Sequence, residues 1–398
     1  MKINIISLNN GHSLSNDCEM ICYSLKKYYK NKKLLFSYFN FQETNCSLAD
    51  INIFVGVVSN FFFKYSQINI FIVDHHKFDI SWRPLLSKLD YVLTKTEYSK
   101  EIMKNYISID KIVNIGWKTL DRHDNTTEKH FDKFLLVSGQ STFRQIKKIL
   151  NIWEENYPSL TILCGKNYFN NIIIEKKEQD NISYIEKYLP EEEYKKCLTE
   201  HGIHLCLGSS TTFGNTLHDC LSVKSVSISP NCLPYRDFIA NNYTGYLVDN
   251  KKKKLKSNFG SEYIVKEDDL KNTIEKVIEI NKNDETLLEE MGEKNKKNLR
   301  EQEITFDRNL KSFFDKVWVK YKTIIPKNRK YEIYNEDLPN VSIITVTYNR
   351  KHFFDLSLRN YKKTDYPREK LEWIIIDDSE EGKGFEGLLP NDNNIKYI

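Results

Sequence analysis

The segment GSSTTFGNTLHDCLS, Gly208 to Ser222, carries residue types suited to holding an anion. An apolar run ends at Leu207, and a turn of small residues with Gly208 and Gly214 leads into a helical pattern. A helix start offers amide N–H groups without intrahelical partners and the positive end of the helix dipole, so a diphosphate can rest there. Small residues at Ser209, Ser210, Thr211 and Thr212 let a phosphate approach the backbone. Asp219, one turn inside the helix, is a carboxylate that could accept hydrogen bonds from a ribose. Alone, the segment also reads as an ordinary strand-turn-helix with a Ser/Thr cap. In LVSGQSTFRQIKKIL a strand ends at Gly139 and Arg144 opens the next helix. A cation there can neutralise a diphosphate and the charge that builds as it leaves; a basic surface helix has the same pattern. In VSIITVTYNR, Tyr348 and Asn349 end one strand, and in EWIIIDDS, Asp377 and Asp378 end another. An aromatic ring there can lie against a base, and a carboxylate can accept from uracil N–H or ribose hydroxyls. FIVDHHKFD sets Asp74, His75 and His76 after an apolar strand, where a carboxylate and imidazoles make a plausible metal set.

These groups need a scaffold that ends strands side by side. Short apolar runs at Ile3 to Leu8, Leu34 to Phe39, Ile51 to Val57, Ile70 to Val73, Tyr91 to Leu93 and Ile112 to Ile115 alternate with helical stretches such as Leu14 to Tyr29 and Ser99 to Tyr106. Near-continuous apolar strands separated by helices imply a parallel sheet covered on both faces. One α/β domain is therefore expected over 1–122, followed by a polar linker in DRHDNTTEKHFDK. The pattern restarts over 130–322. Strands are expected at Phe134 to Ser138, Leu160 to Cys164, Ile182 to Ile185, His204 to Leu207 and Ser225 to Ser229. Helices are expected at Arg144 to Asn156, Glu191 to Thr199, Asn215 to Ser222, Asp268 to Ile280 and Glu285 to Lys297, with the amphipathic run Phe306 to Tyr321 closing the second domain. A second linker falls at 323–339, and a fresh strand-helix-strand fills 340–398. A cleft between two such domains is a natural nucleotide site.

Composition excludes several classes. The 398 residues are 40% hydrophobic and 13% aromatic, which is globular. With 59 basic against 55 acidic residues, net charge is only +4, and the one dense basic run, Lys251 to Lys254, reads as a solvated loop. A nucleic-acid partner is not expected. The cysteines are scattered with no CxxC pair, which disfavours zinc ribbons and suits reduced, buried thiols in the cytoplasm. No stretch approaches the about 18 apolar residues of a membrane span, so no integral membrane segment is expected.

The order of elements from the Gly-Gln-Ser strand end through HLCLGSSTTFGNTLHDCLS to NCLPYRDFIANNYTGYLV is similar to the C-terminal half of retaining GT-B glycosyltransferases of the glycogen-synthase-like superfamily. LDYVLTKTEYSKEIM and KIVNIGWKTLD look like the end of their N-terminal half. The resemblance implies a pair of Rossmann-type parallel-sheet domains with an activated sugar between them. It places that family's Glu-Gly-Phe-Gly stretch on Thr211, Thr212, Phe213 and Gly214, its ribose carboxylate on Asp219, its diphosphate-gripping basic pair on Gln140 and Arg144, and a later acidic position on Asp237. It also implies that His75 or His76 faces the sugar cleft. Transfer with retention and without a metal is implied, from a nucleoside diphosphate sugar to a glycan or protein acceptor. Thr211 carries no carboxylate and Gln140 no charge, departures that put activity of this half in question and favour, as an alternative, a non-catalytic binding module for a downstream domain.

The segment from Val341 resembles the opening of GT-A glycosyltransferases of the large inverting family typified by cellulose and hyaluronan synthases. About sixty residues of such a domain precede Ile398. The resemblance therefore implies an incomplete GT-A start, as in a truncated or split product; a divalent metal, manganese or magnesium, is expected only for the complete domain. FIVDHHKFD also resembles the motif of DHH phosphoesterases, the third reading, which implies a manganese site at Asp74, His75 and His76 with Asp17 and Glu19 imitating that family's upstream acidic pair.

Overall fold

Ile-Asn-Ile occurs three times, at 3–5, 51–53 and 68–70, and the fold sets the three side by side. In the computed structural model, β1 (Lys2–Ser7), β3 (Ile51–Val55) and β4 (Ile68–Ile72) pair in parallel with Asn4 opposite Asn52 and Asn52 opposite Asn69. The amides form a ladder, Asn4 to Asn52 and Asn52 to Asn69, each at 3.1 Å. Buried amides need partners, and these find them in one register only, since a slip by one residue would bring each asparagine opposite an isoleucine. The structure describes residues 1–9, 13–139, 141–165, 176–256, 258–323, 339–364 and 366–398, with backbone alone at 143, 144, 322 and 323.

Two compact units are present, Met1–Ile325 and Pro326–Ile398. The first holds two six-stranded sheets. With β2 (Leu35–Asn40), β5 (Tyr91–Thr94) and β6 (Ile112–Asn114), the first sheet runs β2-β1-β3-β4-β5-β6, all parallel. The second comprises β7 (His130–Ser138), β8 (Ser159–Cys164), β9 (Ile182–Ile185), β10 (His201–Leu205), β11 (Val226–Pro230) and β12 (Gly245–Val248). Its order is β9-β8-β7-β10-β11-β12, the 3-2-1-4-5-6 arrangement of Rossmann-type sheets. The α/β class and the paired parallel sheets expected from the alternating runs are what the fold shows. Helices that matter for the site are α1 (Ser13–Tyr28), α2 (Glu97–Met103), α3 (Phe143–Ile152), α4 (Glu191–Glu200), α5 (Asn215–Ser222), α6 (Tyr235–Phe238), α7 (Glu267–Asn283) and α8 (Glu285–Thr323).

Four local expectations are corrected. The first linker is shorter than read, because β7 already begins at His130. The strand expected at His204 to Leu207 starts at His201: Gly202 packs against the backbone of β7, and the His201 ring is satisfied by the Cys197 carbonyl and Thr161, so neither residue needed to be apolar. Lys251 to Lys254 is no loop. It lies in β13 (Asn250–Lys254), which pairs antiparallel with β14 (Ser261–Val265), its lysines exposed on a two-stranded hairpin. The two expected C-terminal helices are one, the 39-residue α8. Its first half packs on the second lobe through Leu288, Met291 and Leu299, and its second half on the first lobe through Phe306, Leu310, Phe313, Phe314 and Val317. Phe306 to Tyr321 therefore closes the first domain, not the second. Gly292 lets the helix pass close to the Lys224 carbonyl, where a Cβ would collide.

The second unit has a three-stranded sheet, β15 (Val341–Thr347), β16 (Leu371–Asp377) and β17 (Ile395–Tyr397), with α9 (Phe354–Lys363) between the first two. The expected linker 323–339 falls almost wholly outside the described residues.

Candidate functional site

In an open parallel sheet, ligands gather beyond the carboxyl ends of the strands where the strand order reverses. In the second sheet that point lies between β7 and β10, and in the first between β1 and β3. Both open onto one cavity of about 770 Å³, within the usual range for small-molecule sites. From the first lobe it is lined by Ser13, Leu14, Asp17, Asp74, His76, Lys77 and Lys95; from the second by Ser141, the whole of Gly208–Thr216, Tyr235, Leu255 and Glu262.

The small-residue turn takes its shape from two glycines. A Cβ at Gly208 would lie 2.6 Å from the Tyr235 hydroxyl and 3.4 Å from Ser141 Oγ, so the turn passes between those side chains only as glycine. Tyr235 donates to the Gly208 carbonyl, and Ser209 donates to the Ser141 carbonyl through both its amide and its hydroxyl. Gly214 then adopts φ 87° as the residue before α5, with no side-chain cap on that helix. The start of α3 likewise has no side-chain cap. The start of α5 therefore meets the cavity wall without a resident side-chain acceptor, a setting that favours an anion.

Across the cavity the first lobe presents the loop after β4. His76 shares a hydrogen bond with Ser210 at 2.8 Å, Asp74 accepts from the Thr212 hydroxyl, and the Thr96 hydroxyl reaches the Thr212 carbonyl at 3.4 Å. Burial pushes the His76 pKa down to about 4, against the pull of Asp74 and a hydrogen bond to the Thr211 backbone. The ring is thus neutral at pH 7, with one donor and one acceptor nitrogen. Burial and His76 hold His75 well below the ordinary imidazole value. Its Nδ1 faces Ser99 at 3.0 Å and it does not line the cavity. Burial works against the Asp74 carboxylate, but Lys77, the Thr212 hydroxyl and Lys95 outweigh it and keep its pKa below the usual range. Lys95 is paired with Asp17 at 2.5 Å, and Asp17 also accepts from Trp117.

The fold therefore brings His76 and Ser209 to Gly214 together, with His75 one layer behind. Three expectations fare differently. Asp219 does not reach the cavity: Arg122 and Tyr194 engage its carboxylate, and burial raises its pKa even against that cation. Its expected hydrogen bonds to ribose are replaced by a structural ion pair. Asp237 is exposed on α6, outside the cavity lining. Gly139 stands at the end of β7 with open space around it, while Gln140 and the Arg144 side chain lie outside the described residues. The alternative manganese set is not assembled. Among the described residues no group of three or more His, Cys, Asp or Glu side chains could hold a metal ion, and Asp17 is occupied by Lys95.

Sequence reasoning missed Lys77, Lys95, Tyr235 and Glu262. The two lysines follow strand ends, which was a usable signal. Glu262, an acidic residue inside the short strand SEYIV, was legible only as an oddity.

No family model matches the chain, and no curated protein matches it in sequence. Solved structures do resemble it. A glycosyltransferase from Rickettsia africae ESF-5 superposes with a TM-score of 0.59 at 12% identity, covering 81% of this chain and 99% of that one. HepE of Anabaena, in complex with UDP and glucose, gives 0.57 at 9% identity over 79% and 100%. The lipopolysaccharide outer core galactosyltransferase WaaB gives 0.51 at 14% identity over 79% and 100%. The fold is GT-B-like. At such identities the likeness is one of architecture, and the chemistry has to be argued from the cavity. Among the described residues no helix is long and apolar enough to cross a membrane.

In the second unit, β15 and β16 pair in parallel and end together, which brings Tyr348, Asn349, Asp377 and Asp378 to one edge. Asp377 is not available to a base or ribose there. Its carboxylate accepts from the Ser379 hydroxyl, the Phe385 amide at 2.7 Å and the Tyr397 hydroxyl at 2.7 Å. Asp378 and Tyr348 are exposed.

Proposed function

We propose that the chain is a glycosyltransferase that moves a sugar from a nucleoside diphosphate sugar to a glycan or protein acceptor. The observation that carries this reading is the cavity at the strand-order reversal of the second sheet, walled by the uncapped start of α5 and facing a second parallel sheet. In it the diphosphate lies along Ser209 to Gly214 and the starts of α3 and α5. Arg144 supplies positive charge from the start of α3, and Lys77 does so from the facing lobe. His76, neutral and hydrogen-bonded to Ser210, stands where the transferred sugar meets the acceptor side. Departure of the diphosphate is then assisted by amides and cations, with no metal needed in this lobe pair and with retention at the sugar carbon.

A second reading is favoured by a specific observation. Neither Thr211 nor the sequestered Asp219 offers the cavity a carboxylate, which suits a lobe pair that binds a sugar nucleotide without turning it over. The second unit is proposed as a GT-A-type nucleotide-binding unit, resting on Tyr348, Asn349 and Asp378.

A thermal-shift panel of sugar nucleotides tests the main reading, since stabilisation follows ligand occupancy. Arg144→Ala should weaken donor binding about 10- to 100-fold, the worth of a charge-assisted hydrogen bond. Unchanged affinity removes Arg144 from the site, and sugar transfer or hydrolysis without added metal separates an enzyme from a binding module.

A further inference from the structure

Between β12 and α7 the chain makes an excursion, the β13–β14 hairpin, which leaves the second lobe and crosses the cleft. Its tip residue Phe259 is buried in the core of the first lobe, stacked on Phe78 with centroids 4.7 Å apart and on Tyr106 at 3.7 Å. Gly260 lies against the His76 ring, so closely that a Cβ there would overlap it. On the return strand the Tyr263 amide donates to the Ser209 carbonyl at 2.6 Å, which fixes β14 beside the small-residue turn. Successive strand residues face opposite sides. Tyr263 packs with Cys206, Leu217 and Tyr235, and Glu262 faces the cavity, 5% exposed.

Three carboxylates line the cavity among the described residues. Asp17 and Asp74 are two of them. Both belong to the first lobe. Glu262 is the sole carboxylate that the diphosphate-holding lobe contributes, delivered two residues from the Gly260–His76 contact. A carboxylate beside an uncapped helix start is unsuited to a phosphate. It is suited to a neutral polyol, because its two oxygens can accept from adjacent hydroxyls. Position and chemistry agree, since the transferred sugar follows the diphosphate toward His76.

We propose that Glu262 binds vicinal hydroxyls of the transferred sugar and that the cleft-crossing hairpin exists to bring it there. This rests on the sugar-nucleotide reading of the cavity. It assigns the role of sugar-binding carboxylate, absent at Thr211, to a residue about fifty positions downstream.

The test is a pair of affinities for one protein, measured by calorimetry: UDP against UDP-glucose, UDP-galactose and UDP-N-acetylglucosamine, and GDP against GDP-mannose. For whichever donor the wild-type chain binds, Glu262→Gln should weaken the sugar nucleotide about 10- to 100-fold and leave the matching nucleoside diphosphate within about twofold. Glu262→Asp, which keeps the charge, should show the same split in smaller measure; it also serves if the glutamine variant does not fold. Equal weakening of both ligands, or no change in either, overturns the role of Glu262 while leaving the function intact. A wild-type chain that binds none of these ligands overturns the function and this assignment together.

Discussion

Phe259→Ala is expected to release the hairpin from the first lobe. A phenylalanine buries about 200 Å², and at about 25 cal/mol per Å² its complete loss is worth about 5 kcal/mol. A hairpin tip can collapse into part of the space, which brings the expected cost to about 3 kcal/mol, at the low end for Phe→Ala in a core. At 1.4 kcal/mol per factor of ten, the undocked population rises about 150-fold. The rest of the lobe contact, through α8 and the Thr212–Asp74 and Ser210–His76 hydrogen bonds, stays in place. The loss should therefore appear locally. Amide hydrogen exchange resolved to peptides is the assay, because the β13–β14 ladder and the Tyr263 amide are protected only while the hairpin is docked. Phe259→Leu, which keeps most of the apolar area and loses the stacking, should show a smaller increase. If exchange over 250–265 is unchanged in Phe259→Ala while overall stability falls, Phe259 is only a core residue and the hairpin is held by something else.

Arg122→Ala leaves Asp219 buried without its cation and should cost about 3–5 kcal/mol in urea unfolding. Combining it with Asp219→Asn should recover a good part of that, and strict additivity of the two substitutions would refute the buried pair. His76, His201 and His218 each have a folded pKa of about 4 against an ordinary 6.5, burial being the largest cause. The unfolded chain takes up protons that the folded one refuses, so their share of stability is complete above pH 6.5 and is lost as pH falls toward 4. Urea midpoints measured across that window should decline, and His76→Gln should flatten the slope by up to about 1.4 kcal/mol per pH unit; parallel curves for variant and wild type would show that His76 protonates freely.

Much of the scaffold was legible because buried parallel strands are apolar along most of their length. β3 and β4 announce themselves in five residues each, broken only by Asn52 and Asn69. The small-residue turn between β10 and α5 was legible for a related reason: glycines and small residues between an apolar run and a helical pattern mark a tight strand-turn-helix. What failed were features decided at long range. Asp219 looked free because Arg122 stands 97 residues earlier in the chain. Lys251 to Lys254 looked like a loop because a hairpin pairing through its backbone asks nothing of its side chains. α8 read as two segments, Glu285 to Lys297 and Phe306 to Tyr321, because between them the helix passes from one lobe to the other and Arg300 to Thr305 bury few side chains. Glu262 escaped because only the crossing of the hairpin gives it a neighbourhood.

That single helix has a further consequence. At 1.5 Å per residue, α8 is a rod of about 58 Å, and it gives the first lobe five of its core side chains from beyond position 305. The earliest third of the sequence is therefore not a self-sufficient folding piece. Until the far end of the rod arrives, it would show water a greasy stripe of isoleucines, and any hinging of the jaws has to flex a beam clamped at both ends.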